Sequence, residues 1–364
     1  MEVKMKKFLR VLLVALLVFG LVACGSKKDD APTDGDKEVV RVALLLPFVG
    51  DQSYFDVTAN GLELLREAYG DAIEVKLIEM GEDQAGWEPA NRQAAEDGYD
   101  IIISGNWQYE GAMLAVAADY PDIKFLNFDY SSAEANSLDN VYAITYAAHE
   151  IGYLAGVVAA VKSESGIIGG IGGMDNDGIR QFMAGYMQGA YDVNPDIKVI
   201  ISYIGSFTDA NTAKEITLNM IAEGADVVWG CAGGAGNGVI AAAAESDGVW
   251  AIGVDTDQYV AMSNQPELAE VILTSGLKKC DQGILDSVKM MIEGTAPYGT
   301  QKVLTYADNG VGLAENDHYL ANMTDEELAI VKEYADKVLS GETVVIDALA
   351  DPSVYTDILA KVSK

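Results

Sequence analysis

The chain has 364 residues, half of them hydrophobic, so it can bury a large core in one large or two medium domains. Its 56 acidic side chains outnumber the 24 basic ones and give a formal net charge of −32. A surface of this sign repels nucleic-acid phosphates and anionic lipid head groups, which argues against nucleic-acid binding.

The first 24 residues predict a secretory signal of the lipoprotein type at residues 1–23. A basic head with four Lys and Arg residues precedes an apolar run over 11–22, which is shorter than the ~20 residues of a membrane-spanning helix. The run ends in Leu-Val-Ala-Cys, a lipobox, so Cys24 is expected to be the lipidated first residue of the mature protein. Residues 24–38 are polar and charged, and we expect a lipidated flexible tether there.

After residue 39, short β-branched runs alternate with longer amphipathic segments, which predicts alternating strands and helices. In the first half, strands are predicted at 39–46, 73–79, 100–104 and 123–127, with helices at 54–69, 89–97 and 110–119. In the second half, helices are predicted at 151–161, 178–191, 211–223, 239–245 and 279–293, and strands at 166–171, 198–203, 226–229, 250–254 and 271–274. A capping box formed by Thr324 and Glu327 begins a last helix.

This alternation is typical of parallel sheets with helices on both faces. The strands are too many for one small sheet, so the predicted fold class is α/β, with two doubly wound parallel-sheet lobes and a ligand cleft between them. Ligands of such folds bind at the carboxyl ends of the strands. A single TIM barrel is the alternative layout.

Aromatic rings, glycines and carboxylates follow successive predicted strands, in the segments 50–56, 105–109, 170–175, 205–209, 230–238 and 253–258. Such a set is typical of a small-molecule pocket. It contains no nucleophile, base and oxyanion group in combination, so an enzyme is not expected. Cys231 and Cys280 lack metal-ligand spacing and are expected to be buried free thiols, and His149 and His318 lack partner motifs, so no cofactor or metal is predicted.

Five short motifs occur in a fixed order at these strand ends: GGMD at 172–175, YIGSF at 203–207, AGGAGNG at 232–238, IGVDTDQ at 252–258 and LTSGLK at 273–278. Together they resemble the motifs of the basic membrane lipoprotein (BMP) family, over residues 39–292. The family comprises purine nucleoside receptor A-like substrate-binding lipoproteins of ABC importers. The resemblance implies the fold of type I periplasmic binding proteins.

The resemblance also implies roles for individual side chains. Phe207 and Tyr54 correspond to the two aromatic rings that sandwich the base of a bound nucleoside. Asp255 is expected to accept hydrogen bonds from the ribose diol, with Lys278 beside that carboxylate. Asp129 is expected to face the sugar or the base.

Further ligand contacts are expected from backbone and loop residues. Gly233 and Gly234 would bring the backbone close to the ligand, and Trp107 would form a cleft wall. Phe55 occupies the position of a family Asn, so a polar group that could read the base edge is either missing or replaced by Asp51.

By this resemblance the chain is a lipid-anchored binding protein on the extracytoplasmic face of the cell membrane. It is expected to close around a nucleoside, of the purine class in keeping with the family, and to deliver it to an ABC permease and its ATPase. It is expected to act as a monomer. Lobe 1 is expected to comprise residues 39–147 plus 257–296, and lobe 2 residues 148–256 plus 297–364. A sugar or related polyol is the alternative ligand, and a sensor without transport is the alternative role.

A second motif permits a different interpretation. Gly236, Gly238 and Ala241 satisfy a GxGxxA dinucleotide fingerprint between a strand and a helix, and Asp255 ends the next strand. A dinucleotide-dependent enzyme is therefore a remote alternative, without an accompanying catalytic acid–base pair.

The lipid anchor gives the first testable prediction. Because Cys24 is the predicted attachment to the membrane, Cys24→Ser should release the protein from the membrane fraction. Cell fractionation measures this, with intact mass reporting whether the signal has been removed. A cleaved variant that remains entirely in the membrane fraction would contradict the lipoprotein assignment.

Overall fold

The computed structural model describes residues 39–130 and 132–363. The predicted signal, the tether and Cys24 lie outside the described residues. No helix in the described ranges is both long enough and apolar enough to cross a membrane.

In chain order the strands are β1 (Val40–Leu46), β2 (Ile73–Glu79), β3 (Ile101–Ile103), β4 (Lys124–Phe128), β5 (Val141–Tyr146), β6 (Ile167–Gly172), β7 (Lys198–Tyr203), β8 (Val227–Cys231), β9 (Trp250–Asp255), β10 (Ile272–Lys278), β11 (Thr300–Leu304) and β12 (Val311–Leu313). The helices are α1 (Tyr54–Tyr69), α2 (Trp87–Glu96), α3 (Glu110–Asp119), α4 (Ala148–Lys162), α5 (Asp177–Val193), α6 (Ala210–Ala222), α7 (Gly236–Ala244), α8 (Gln258–Ala261), α9 (Pro266–Ala269), α10 (Cys280–Glu293), α11 (Asp317–Asn322), α12 (Asp325–Ser340) and α13 (Ser353–Val362).

The strands form two separate six-stranded sheets, one in each lobe. The lobe 1 sheet has the order β2-β1-β3-β4-β5-β11 and all its pairs are parallel. The lobe 2 sheet has the order β7-β6-β8-β9-β10-β12, in which only the pair β10 and β12 is antiparallel. The predicted α/β fold with two doubly wound lobes is confirmed, and the TIM barrel is excluded because neither sheet closes.

Both sheets follow the 2-1-3-4-5 strand order, in which the chain reverses direction across the sheet after its second strand. The inner strands are largely buried and rich in apolar residues, as in β3, whose three residues are all Ile and all buried. The carboxyl ends of β1, β3 and β4 in lobe 1, and of β6, β8 and β9 in lobe 2, therefore lie at one edge of each sheet.

The lobe boundaries differ from the expected ones in two places. β10 was expected in lobe 1, but it pairs with β9 in the lobe 2 sheet. β11 was expected in lobe 2, but it pairs with β5 in the lobe 1 sheet. The chain thus passes between the lobes after Tyr146, after Lys278 and after Leu304. The predicted strand ended at Thr274 because Ser275 and Gly276 interrupt the apolar run, whereas pairing with β9 continues to Leu277.

Two helices of lobe 2, α4 and α5, pack with their backbones in contact. A Cβ atom at Gly152 or Gly156 of α4 would overlap the carbonyl oxygen of Phe182 or Tyr186, respectively. Gly185 and Gly189 of α5 face the α4 carbonyl oxygens of His149 and Tyr153 in the same way, with the same spacing of four residues. The reciprocal glycines let the two helices approach more closely than any side chain would permit.

This contact predicts a large effect of a small substitution. Gly156→Val should destabilise the fold by roughly 1–3 kcal/mol or more, because the added side chain forces the helices apart. Chemical denaturation measures the loss. Gly178→Ala in α5 is the control: its Cβ would lie 3.5 Å from the nearest atom, so the free energy of unfolding should be unchanged or rise by about 0.4–1 kcal/mol. Equal stability of Gly156→Val and wild type would refute the close packing.

Candidate functional site

Charged side chains from both lobes meet at the carboxyl edges of the two sheets. Asp129 follows β4 in lobe 1, whereas Asp255 ends β9 and Lys278 ends β10 in lobe 2. Asp129 and Asp255 have φ of 61° and 68°, a left-handed backbone that is uncommon outside glycine. Such strained conformations cluster at functional sites, where neighbouring structure holds them.

Lys278 lies at the centre of this cluster. It is 6 % exposed, and its Nζ lies 2.8 Å from Oδ2 of Asp129. The ammonium also lies over three aromatic rings, at 5.3 Å from the Tyr54 centroid, 5.0 Å from Phe182 and 5.9 Å from Tyr146. Lys278 thus ends β10 as a buried residue and is not a solvated residue at the start of α10.

Burial and charge act in opposite directions on these groups. Burial disfavours the charged form of Lys278, but the carboxylates of Asp129 and Asp255 outweigh this and raise its pKa. Burial raises the pKa of Asp255 to about 6, while Lys278 and the Ser53 hydroxyl partly oppose that shift. Lys278 is therefore a cation at neutral pH, and Asp255 titrates close to the neutral range.

A loop of lobe 1 contacts Asp255 directly. The Ser53 hydroxyl lies 2.9 Å from Oδ2 of Asp255 and 3.2 Å from the Val254 carbonyl oxygen. Beside it, the Gln258 side chain donates to the Gln52 carbonyl oxygen at 3.0 Å and accepts from the Val254 amide at 3.0 Å. These hydrogen bonds join the lobes at the edge of the cluster, and they fix one oxygen of the Asp255 carboxylate.

Asp51 has a local structural role. It is 5 % exposed, and its carboxylate accepts the backbone amides of Ser53, Phe55 and Asp56 at 3.0, 2.9 and 3.1 Å. Burial raises the pKa of Asp51 and these amides oppose the rise. With its oxygens engaged at the start of α1, Asp51 is not positioned to replace the polar side chain that Phe55 displaces.

The ring contacts differ from the expected sandwich of Phe207 and Tyr54. The Phe207 ring lies against Gly173, where any side chain would overlap it, and its centroid is 6.4 Å from that of Trp107, with planes tilted by 56°. Tyr54 stacks on Phe128 at 6.2 Å. The ring that faces Phe207 across the lobe boundary is therefore Trp107, and Trp107 is 49 % exposed.

The glycines after β8 differ in the space around them, since a side chain would fit at ordinary contact distance at Gly233 and Gly234 but not at Gly238. Cβ atoms at Gly233 and Gly234 would lie 3.6 Å from the Phe207 carbonyl oxygen, and Gly234 also faces Asp51 of lobe 1 at 3.5 Å. Gly238, part of the dinucleotide-like motif, faces the Ala210 carbonyl oxygen so closely that a Cβ would overlap it. Helix packing between α6 and α7 thus accounts for this glycine.

Several site residues were not predicted from the sequence. Ser53, Gln258 and Tyr109 are single polar or aromatic residues in loops or at helix starts, and only their position next to a predicted strand end could have drawn attention to them. The prediction for Cys231 and Cys280 is confirmed, since both are buried free thiols whose pKa is raised by burial. Among the described residues, no group of three His, Cys, Asp or Glu side chains could hold a metal ion.

Comparison with known proteins places this geometry in a family. The profile of the family described as "ABC transporter substrate-binding protein PnrA-like" matches residues 39–342. BmpA of Lactococcus lactis, an ABC transporter nucleoside-binding protein, is 35 % identical over 262 residues, which cover 69 % of this chain and 72 % of the relative. The CD4+ T-cell-stimulating antigen of Listeria innocua is 29 % identical over 364 residues, or 93 % of this chain and 98 % of the relative.

A solved structure agrees at the level of the fold. An ABC transporter solute-binding protein from Aeropyrum pernix superposes with a TM-score of 0.72 at 23 % identity, covering 89 % of this chain and 99 % of its own. The predicted resemblance is confirmed, and the family consists of binding proteins and not of enzymes. The chain belongs to the PnrA-like family of ABC transporter substrate-binding proteins.

Proposed function

We propose that this protein binds a nucleoside between its lobes and delivers it to an ABC permease and the associated ATPase. The observation that carries the proposal is the buried meeting of Asp129 and Tyr54 from lobe 1 with Asp255 and Lys278 from lobe 2. The name of the Lactococcus lactis relative, a nucleoside-binding protein, supports the same ligand class.

The chemistry of the cluster suits a neutral ligand with several hydroxyl groups. The carboxylates of Asp129 and Asp255 accept hydrogen bonds from hydroxyls, and Lys278 donates to a sugar oxygen. Phe207, with Trp107 or Tyr54, supplies an aromatic face for a base. Two carboxylates against one ammonium also disfavour a phosphate group, so nucleosides are preferred over nucleotides.

Closure of the lobes is the proposed mechanism of capture. Both the Ser53 to Asp255 hydrogen bond and the Lys278 to Asp129 ion pair join residues that belong to different lobes. A ligand that contacts both sheets stabilises the closed state by the contacts it makes only there. A permease that recognises the closed form would then distinguish loaded from empty protein.

Anchoring and location complete the proposal. Cys24 would carry the lipid, with the binding lobes on the extracytoplasmic face of the cell membrane, and the protein would act as a monomer. A sugar or polyol is the second candidate ligand, favoured by Phe55 at the position of the family Asn. The same carboxylates and lysine would bind sugar hydroxyls, and native mass spectrometry of the purified protein separates the two ligand classes.

Substitutions in the cluster should separate base recognition from sugar recognition. Phe207→Ala should lower the affinity for nucleosides and for free bases alike, by roughly 5- to 150-fold, because a stacking contact with a base contributes ~1–3 kcal/mol. Asp255→Asn, which tolerates the left-handed backbone, should weaken nucleosides by about 10-fold or more and leave free bases unaffected.

Isothermal titration calorimetry with inosine, guanosine, adenosine and their bases measures both effects. Leu349→Ala, at a 56 % exposed position outside the cluster, is the control and should bind like wild type. Binding of no nucleoside by the wild type at millimolar concentration would reject the nucleoside and favour the sugar. Turnover of a nucleoside by pure protein would contradict a binding role.

Nucleoside affinity should also depend on pH through Asp255. Its pKa of about 6 makes the carboxylate ionised above that pH, where it accepts the ligand hydroxyls, and neutral below it. Affinity should therefore be constant above about pH 7 and fall by up to about tenfold per pH unit below pH 6. Calorimetry between pH 5 and 8 measures this, and Asp255→Asn should abolish the dependence.

The raised pKa of Asp255 has the opposite effect on the stability of the free protein, which falls as the pH rises. Because the folded state raises this pKa above the usual 3.8, it binds the proton more tightly than the unfolded chain does. Ionised Asp255 thus destabilises the fold above pH 6, and this contribution disappears as the pH falls towards 4. An unchanged pH profile in Asp255→Asn would assign the titration to another group.

A further inference from the structure

Tyr109 is a buried tyrosine whose hydroxyl has no hydrogen-bond partner in the structure. The residue is 1 % exposed, and its ring packs against Trp87 at 5.6 Å and Phe128 at 6.5 Å. It lies immediately before α3, in the segment that follows the carboxyl end of β3. Its hydroxyl therefore belongs to the same edge of the lobe 1 sheet as Asp129.

Asp129 acts on this hydroxyl and on a second one. Burial, followed by the negative charge of Asp129, raises the pKa of Tyr109, and the same two causes raise the pKa of Tyr54, with Tyr109 itself contributing. The Tyr54 hydroxyl is likewise buried without a hydrogen-bond partner, and the nearby Asn106 side chain opposes the rise in its pKa. The rings of Tyr54 and Tyr109 also both pack against Phe128, the residue before Asp129, so the two hydroxyls and the carboxylate lie in the same part of lobe 1.

An unpaired buried hydroxyl lowers the stability of the fold, because water is lost and no bond replaces it. Two other buried tyrosines avoid that loss, whereas the hydroxyls of Tyr146, Tyr298 and Tyr319 are also buried without a partner. Tyr186 donates its hydroxyl to the Gly169 carbonyl oxygen at 3.1 Å, and Tyr153 donates to Asp192 at 3.1 Å. An unpaired hydroxyl alone therefore does not identify a site, and it is the position of Tyr109 and Tyr54 near Asp129 that connects them with the ligand.

We propose that the hydroxyls of Tyr109 and Tyr54, together with the Asp129 carboxylate, form a lobe 1 subsite for one hydroxyl group of the ligand's sugar. The proposal rests on the nucleoside-binding function proposed above. A carboxylate only accepts hydrogen bonds, whereas a tyrosine hydroxyl can donate one. A sugar hydroxyl fits this set, because it can donate to Asp129 and accept from Tyr109 at the same time.

The first measurement is the thermal stability of the free protein, which needs no ligand. Tyr109→Phe removes the unpaired oxygen and keeps the ring, so its melting temperature should equal or exceed that of wild type, by up to about 3 °C. Tyr186→Phe, which loses a made hydrogen bond, should melt lower. Tyr319→Phe removes another buried unpaired hydroxyl, outside the cluster, and should behave like Tyr109→Phe in stability only.

The second measurement is affinity for inosine and for its 2′-, 3′- and 5′-deoxy derivatives, by calorimetry. Tyr109→Phe should lower the affinity for inosine by about 3- to 10-fold, which is the effect of losing one neutral hydrogen bond, while Tyr319→Phe should leave the affinity unchanged. One of the three deoxy derivatives should bind wild type more weakly than inosine does, and Tyr109→Phe should not lower the affinity for that derivative any further. That non-additivity identifies the sugar hydroxyl that Tyr109 contacts.

Each outcome bears on a different statement. Wild type that binds no nucleoside contradicts the proposed function, whatever the variants do. If wild type binds inosine and Tyr109→Phe binds it equally well, the subsite is overturned and the function stays intact. The same conclusion follows if each of the three deoxy derivatives loses affinity relative to inosine by the same factor in wild type and in Tyr109→Phe. A melting temperature of Tyr109→Phe as low as that of Tyr186→Phe would also overturn it, because the hydroxyl would then have a structural partner.

Discussion

The burial of the Lys278 ammonium between the two lobes is the constraint on which the rest of the site depends. An unpaired cation at a position that is 6 % exposed would be strongly unfavourable, so carboxylates must accompany it. Asp129 supplies one from lobe 1 and Asp255 the other from lobe 2. Because Lys278 also ends the strand from which the chain re-enters lobe 1, the ion pair links ligand recognition with the connection between the lobes.

Much of the fold could be predicted from the pattern of apolar residues. α1 and β2 have the predicted bounds, since a continuous periodic pattern leaves little choice. β11 could not be assigned in this way, because its residues are mostly exposed and its place depends on pairing with β5 across the lobe boundary. The later crossing points were misplaced for the same reason: which sheet an edge strand joins is decided by tertiary pairing and not by local composition.

The site was predictable to a different extent. Carboxylates and rings at strand ends stand out in any α/β sequence, and the predicted residues do lie along one boundary between the sheets. Their partners could not be foreseen, because hydrogen-bond geometry decides them: Asp51 serves the start of α1, and Trp107 rather than Tyr54 faces Phe207. Ser53 and Tyr109 carry no sequence signal beyond their neighbourhood, and only burial and contacts single them out.

The left-handed backbone at Asp129 and Asp255 restricts how the pocket can diverge over evolution. At φ of 61° and 68°, Asn, Asp and Gly are tolerated much better than larger or β-branched residues. Asn is the one of these that removes the negative charge and still offers hydrogen bonds, and a single nucleotide change converts an Asp codon into an Asn codon. Relatives that exchange a neutral ligand for an acidic one therefore have a short mutational route at these two positions, whereas a longer carboxylate such as Glu would first require the strand ends to change shape.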